Sequence, residues 1–153
     1  MWGSETLGWK IKRFEQLNTE ELYEILKARY EVFTVGQRCL YQDCDNRDQN
    51  SYHLYLRENK RIIAYLRIID KGIAYGAVSI GRVMIVESHR NKGLAREMMK
   101  YAIKFIEDEL KENVIKISAQ EYLSDFYKSL GFKQASGVYL EVEIPHIKMI
   151  YEV

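Results

Sequence analysis

The sequence predicts a single-domain α+β fold, in which a mixed central sheet carries helices on both faces. Three observations lead there. The elements run strand, helix, three strands, helix, strand, helix, two strands. Three neighbouring strands followed by a strand–helix–strand unit favour a mixed sheet, and the right-handed crossover rule fixes the hand of that unit. The 153 residues are the size of one domain. Pro145 is the only proline, and no Gly/Ser-rich, low-complexity or repeated segment divides the chain.

The elements follow in order. Trp9 to Phe14 alternates apolar and basic residues and reads as a first strand. Asn18 or Thr19 caps a helix whose apolar stripe is Leu22, Ile25, Leu26, Tyr30 and Phe33. Gln37 to Asn50 is polar, with Asp43, Asp45 and Asp48, and reads as a long loop. Tyr52 to Arg57 and Arg61 to Ile69 form a hairpin across Glu58 to Lys60, and Ala77 to Val86 is a further strand. A long helix is expected from Asn91 to Lys111, with Leu94, Met98, Tyr101, Ala102, Phe105 and Ile106 on one face. Val114 to Ser118 is a short buried strand, and Gln120 to Leu130 a helix closed by Gly131. Phe132 begins a strand that Val138 to Glu143 continues or resumes, and Ile147 to Val153 is the last.

Composition narrows the function. A formal net charge of +1 supplies no global field for nucleic acid or an anionic membrane. The basic residues between Arg90 and Lys104 flank one helix without interleaved aromatics, so a nucleic-acid partner is not expected. Cys39 and Cys44 make no disulfide framework, read as reduced thiols, and lack the compact pairing that tetrahedral zinc needs, so no metal is expected. Met1 to Trp9 has no basic start and no apolar stretch, and no run approaches the ~20 apolar residues of a membrane span. These features predict a leader over residues 1–9, a domain over 10–153, no membrane partner and a cytoplasmic location.

The chemistry concentrates between Gly81 and Ala95, in the run GRVMIVESHRNKGLA. An apolar strand ends near Val86 and a turn leads into the long helix. The first N–H groups of a helix have no internal partner, and the dipole places partial positive charge there, so the turn is a natural anion site. Gly93 removes a Cβ and lets backbone approach phosphate, Ala95 is small, and Arg90 and Lys92 add charge. Neither standard phosphate loop occurs. What occurs is R-x-x-G-x-A after an apolar strand.

This segment resembles the acetyl-CoA pyrophosphate loop of the GNAT acetyltransferases. Ala119 to Phe132 resembles that family's second motif, a tyrosine followed four residues later by Gly-Phe, here Tyr127, Gly131 and Phe132. A narrower resemblance, to the ElaA-like branch, rests on Arg29-Tyr30-Glu31-Val32-Phe33, Gln37, Cys39, Tyr41-Gln42-Asp43, Asp45, Gly81-Arg82-Val83, Ala119-Gln120 and Ile144-Pro145-His146-Ile147. It spans nearly the whole chain after the first nine residues. Gly36, Leu40 and Glu143 depart from the branch's usual Glu, Pro and Gly.

The resemblance implies a sheet of six to seven strands splayed in the middle, between those ending at Val86 and Ser118. It implies acetyl-CoA as co-substrate and a primary amine, on a small molecule or a peptide or protein, as acceptor. The pantetheine arm would pair with Met84, Ile85 and Val86 in the manner of an added strand. Arg90, Asn91, Lys92, Gly93, Leu94 and Ala95 would hold the pyrophosphate, with Gln120 beside the cofactor. An amide near the thioester carbonyl would steady the oxyanion. Tyr127 is the candidate general acid for the departing thiolate, or else a packing tyrosine; a phenol with a pKa near ~10 carries its proton at neutral pH.

The general base stays open among Glu87, Asp45, His53 and a held water. His53 sits in an alternating strand, where a structural role is the commoner one. His146 lines the acceptor cleft or belongs to a turn. Arg29 and Arg82 orient an acidic acceptor or form buried ion pairs. Cys39 has no neighbour that would lower its pKa, so direct transfer is favoured over an acyl-cysteine. The aromatic loop around Tyr41 is expected to cap the acceptor site. A homodimer paired through the C-terminal strand is one expected assembly, and a non-catalytic acyl-CoA sensor is the alternative to an enzyme.

Overall fold

A computed structural model describes residues 8–153. The strands are β1 (Lys10–Arg13), β2 (Ser51–Glu58), β3 (Arg61–Ile69), β4 (Ser79–Ile85), β5 (Val114–Gln120), β6 (Lys133–Gln134), β7 (Tyr139–Glu141) and β8 (Ile144–Glu152). The helices are α1 (Thr19–Arg29), α2 (Leu94–Asp108) and α3 (Ser124–Ser129). β1 to β4 form an antiparallel half-sheet in chain order. β8 is the centre of the other half, with β5 on one edge and β6 and β7 on the other. The halves join at one parallel bridge, Val78 to Ile115, where the Lys116 N–H donates to the Val78 carbonyl at 2.9 Å. Beyond it β4 and β5 share no ladder among the described residues. The sheet is therefore splayed between the two expected strands.

Helices cover both faces. α2 buries Met98, Met99, Tyr101, Ala102, Ile103, Phe105 and Ile106 against Leu54, Ala64, Leu66, Ile68, Val78, Ile80, Ile115, Ile117 and Ala119. Each of the Val, Leu, Ile, Met and Phe side chains contributes about 1.5–3 kcal/mol on full burial. α1 packs Ile25 and Ala28 on the opposite face, with Tyr55, Ile63, Tyr65, Met84 and Val86. Its start is a capping box in which the Asn18 side chain accepts from the Glu21 N–H at 2.7 Å and Glu21 accepts from the Asn18 N–H at 2.9 Å.

Several boundaries shift for identifiable reasons. α1 ends at Arg29 and continues as a π-helical stretch, Tyr30–Gly36, so Tyr30 leaves the apolar stripe and is exposed while Phe33 is buried. α2 begins at Leu94 rather than Asn91, because Asn91 (φ 64°) and Gly93 (φ 79°) are left-handed. β5 runs on through Gln120, and α3 is a short helix after a 3₁₀ turn. Val142 (φ 44°) and Glu143 (φ 64°) form a two-residue turn of the primed kind, so Glu143 leaves the strand and β8 starts at Ile144. Pro145 sits inside β8, opposite Leu140. Trp9 is 1% exposed, and its Nε1–H donates to Glu97 on α2 at 2.8 Å. The core thus takes in the last residue of the expected leader; residues 1–7 lie outside those described. No helix among the described residues is long and apolar enough to cross a membrane.

Candidate functional site

The gap starts from a fault in β4. Tyr65 pairs with Met84 but Arg67 pairs with Gly81, so β4 carries one extra residue. Arg82 has φ 52° and makes this bulge. The extra residue switches the phase of the strand: Val78 and Ile80 face α2 before it, Val83 and Ile85 after it, which turns Met84 and Val86 toward α1. The Val86 N–H is spent on the Ile63 carbonyl at 2.9 Å. By strand alternation it is the main chain of Ile85, among the three residues expected along the cofactor, that faces the gap. Arg90 closes the corner by donating from Nε to the Ile85 carbonyl at 2.9 Å.

At the open end of the gap stands the N-terminus of α2. Gly93 is its N-cap and supplies no side chain, and a Cβ added there would meet nothing within 4 Å. The first intrahelical bond runs from the Glu97 N–H to the Gly93 carbonyl at 3.1 Å, leaving the N–H groups of Leu94, Ala95 and Arg96 without helical acceptors. Glycine is needed twice over: for the left-handed φ and for an open approach. Arg90, Asn91 and Lys92 are all exposed.

Tyr127 is placed by the end of α3. The Phe132 N–H returns to the Tyr127 carbonyl at 3.1 Å and the Gly131 N–H to Lys128 at 3.0 Å, with Gly131 at φ 108°. This is a Schellman motif, and the Tyr127 and Phe132 rings, 5.8 Å apart, make its apolar contact. The Tyr-x-x-x-Gly-Phe spacing is thus a helix stop that fixes the tyrosine. A Cβ on Gly131 would lie 3.0 Å from the Tyr151 ring. Tyr127 is 6% exposed, and burial, helped by Tyr122, pushes its hydroxyl up to about 12. That hydroxyl has no hydrogen bond among the described residues. Arg96 ties α2 to α3, donating to Ser129 Oγ at 3.0 Å and lying 5.4 Å over the Phe126 ring.

The α1 face is ionic. Arg29 donates to Asp43 at 2.9 Å and to Asp48 at 2.8 Å; Arg67 donates to Asp45 and Asp48, each at 2.8 Å; Arg82 donates to Asp43 at 2.8 Å. The loop before β2 is therefore fastened to α1, β3 and the bulge of β4. The ion-pair role of Arg29 and Arg82 is the one realised. Burial alone would raise Asp45, but the Arg67 guanidinium outweighs it and holds the carboxyl well below the usual range, so Asp45 is a structural anion rather than a base. His53 uses both ring nitrogens, Nδ1 with the Tyr65 hydroxyl at 2.7 Å and Nε2 with the Asp48 carbonyl at 2.9 Å, and burial lowers its pKa. It too is structural. Tyr41 lies under Arg82 (5.4 Å) and donates to Asp43 at 3.2 Å, while Cys39 Sγ reaches the Val142 carbonyl at 3.7 Å. The loop thus meets the β7–β8 turn. Glu87 is exposed at the head of the turn after β4.

One cluster went unread in the sequence. On the face of the second half-sheet turned away from α2, Ser118, Tyr139, Glu141, His146 and Lys148 are joined by hydrogen bonds or short polar contacts. His146 belongs to a strand, not a turn. Alternation along β5 and β8 gives their faces, but the pairing of β7 with β8 that completes the group has no local signal.

Residues 14–153 match the family described as acetyltransferase (GNAT) domain. A UPF0039 protein of Synechocystis is 35% identical over 148 residues, covering 96% of each chain. Protein ElaA of Escherichia coli is 33% identical over 149 residues, covering 96% of this chain and 97% of its own. Among solved structures, an acyl-CoA N-acyltransferase from Pseudomonas aeruginosa superposes with a TM-score of 0.89 at 37% identity, over 95% of this chain and 99% of that one. Escherichia coli ElaA gives 0.88 at 32% identity, over 94% and 98%.

Proposed function

Because the chain belongs to the GNAT acetyltransferase family and its ElaA-like branch, a family of acyltransferases that draw on an acyl-CoA co-substrate, we propose that it transfers an acetyl group from acetyl-CoA to a primary amine by direct attack on the thioester. The observation that carries this reading is the gap between β4 and β5, opening beyond the Val78–Ile115 bridge toward the uncapped start of α2. An extended pantetheine arm pairs with a strand edge, and at Ile85 the N–H faces the gap while Arg90 holds the carbonyl. The N–H groups of Leu94, Ala95 and Arg96 face the pyrophosphate, with Lys92 and the backbone at Gly93 beside it. Asn91, by its left-handed turn, directs the chain into that cradle. Met84 and Val86 form the wall on the acceptor side, and Gln120 closes the end of β5.

Tyr127 hands its proton to the departing thiolate. A hydroxyl raised to about 12 stays protonated at neutral pH, and its freedom from partners leaves it ready to donate. Acid help of this kind is worth about 10²–10⁴-fold, toward the low end for a thiolate leaving group. The test is thiol release from acetyl-CoA with a panel of amines, on wild type and Tyr127→Phe. The expected outcome is turnover by wild type, and in the variant a fall in kcat of about 10²-fold with acetyl-CoA affinity and Tm unchanged. Wild-type kcat in the variant, with chemistry shown to limit the rate, removes the acid role. Acetyl-CoA binding without turnover of any amine would leave a sensor.

A further inference from the structure

On the face of β5, β8 and β7 away from α2, the Lys148 ammonium donates to the Tyr139 hydroxyl at 2.8 Å, that hydroxyl contacts Ser118 Oγ, and Ser118 donates to Glu141 Oε1 at 2.9 Å. An ammonium only donates and a carboxylate only accepts, so the hydroxyl protons run one way along the chain. A cation and an anion are thereby held a fixed distance apart without pairing. Lys148 is partly buried and has no carboxylate partner among the described residues. It is flanked by the rings of Tyr139 at 4.3 Å and Tyr75 at 5.3 Å, and Lys116 lies 5.0 Å over the same Tyr75 ring. Withdrawing a lysine from water costs free energy unless a counter-charge arrives. Glu141 is half exposed, with its second oxygen 3.7 Å from His146 Nε2. His146 Nδ1 faces the Ile144 carbonyl at 2.7 Å and so carries the ring proton there, leaving Nε2 a lone pair when the ring is neutral.

The position is as telling as the charges. Ser118 is on β5, which borders the gap, and it points to the face opposite Ile117, Ala119 and the Tyr127 cluster. Three hydrogen bonds end to end separate Lys148 Nζ from Glu141 by at most about 8 Å. A molecule whose ammonium and carboxylate sit on one carbon, with a hydrogen bond at each end, spans about the same distance.

We propose that this cluster is the acceptor subsite and that its substrate is an α-amino acid, bound with its ammonium on Glu141 and its carboxylate on Lys148; this rests on the acetyl-transfer reading above. Glu141 takes one proton from the ammonium, shared with His146 Nε2. The freed nitrogen lone pair forms the C–N bond at the thioester carbon. The C–S bond breaks with its electron pair on sulfur, and Tyr127 protonates that sulfur. The second nitrogen proton, lost as the amide forms, restores Tyr127, and the proton on Glu141 leaves to water.

The test uses the full chain and thiol release from acetyl-CoA with L-amino acids, the matching amino acid amides and spermidine. Wild type is expected to turn over an amino acid at least tenfold more efficiently than its amide. Lys148→Met raises KM for the amino acid at least tenfold, leaving that for the amide and the Kd of acetyl-CoA unchanged. Glu141→Gln lowers kcat at pH 7 and regains part of it at pH 9, where more of the free amine has already lost its proton. A wild type that prefers amides or spermidine overturns the assignment even if a variant fails to fold, and so does a Lys148→Met that weakens acid and amide alike. A wild type that binds acetyl-CoA and acetylates none of these amines refutes the transferase reading for amines of this kind, and the subsite with it. Turnover of amides alone refutes only the subsite.

Discussion

On the α2 side of the sheet the buried side chains are mainly apolar, Met98, Met99, Leu66 and Ile117 among them; on the α1 side Arg29, Arg67, Asp48, His53 and Glu21 are also buried. The first face is held by dispersion and the hydrophobic effect, which tolerate volume-conserving change. The second is held by guanidinium–carboxylate pairs, which are costly to leave half made. On the reading proposed above, the cofactor lies along the first face and the start of α2, where local chain geometry suffices. The α1 side has a loop, residues 37–47, that must be fixed without regular structure, and the arginine–aspartate network does that.

The contrast can be broken most sharply at Arg67. Its removal leaves the buried Asp48 paired with Arg29 alone and the partly exposed Asp45 paired only with Arg82, at 3.5 Å. Arg67→Met should cost about 3–5 kcal/mol of stability, as loss of one partner of a buried pair does, read by urea unfolding. A cost under about 1 kcal/mol would mean that the network behaves like surface ion pairs. Smaller is the effect at the helix stop on the other side. Gly131→Ala places a Cβ at left-handed φ and 3.0 Å from Tyr151, a loss of about 1–2 kcal/mol from conformation alone. An unchanged Tm would show that Tyr127 is not positioned by the Schellman turn.

Smaller again is the pH response of the ionic face. His53 is held neutral by burial, its folded pKa lowered from 6.5. The unfolded chain therefore binds the proton first, so this contribution is fully present above about pH 6.5 and is lost as pH falls below it. The lowered Asp45 and Asp48 act in the same direction at lower pH: their contribution stands above the unfolded carboxylate range and is lost as pH falls through the folded values. His53→Gln should flatten the stability profile as pH falls below about 6.5 and leave the carboxylate limb at lower pH. An unaltered slope would place the titration elsewhere.

The same contrast explains what the sequence disclosed. The turn at Gly93 and the Tyr127–Gly131–Phe132 stop are local, each closed within six residues or fewer, so their spacing is legible. α2 starts three residues beyond Asn91 because Asn91 is left-handed, a conformation that composition does not force. The ionic face is assembled from partners 14 to 39 residues apart, such as Arg29 with Asp43 and Arg82 with Asp43, and no window of sequence contains them. Sequence alone therefore leaves Asp45 open as a base and cannot show the partners that make His53 structural. The bulge at Arg82 was hidden for the same reason: its left-handed φ is borne by an arginine, held from across the molecule by Asp43.

The central claim is that the gap beside the start of α2 receives acetyl-CoA. Isothermal titration of acetyl-CoA into wild type and Gly93→Asp tests it most directly, because a Cβ at that glycine meets no protein atom within 4 Å and clashes only with what binds there. The left-handed φ adds strain, so a thermal melt must first establish that the variant is folded. The added carboxylate should weaken binding at least tenfold, about 1.4 kcal/mol. A folded Gly93→Asp that binds acetyl-CoA as tightly as wild type would contradict the account.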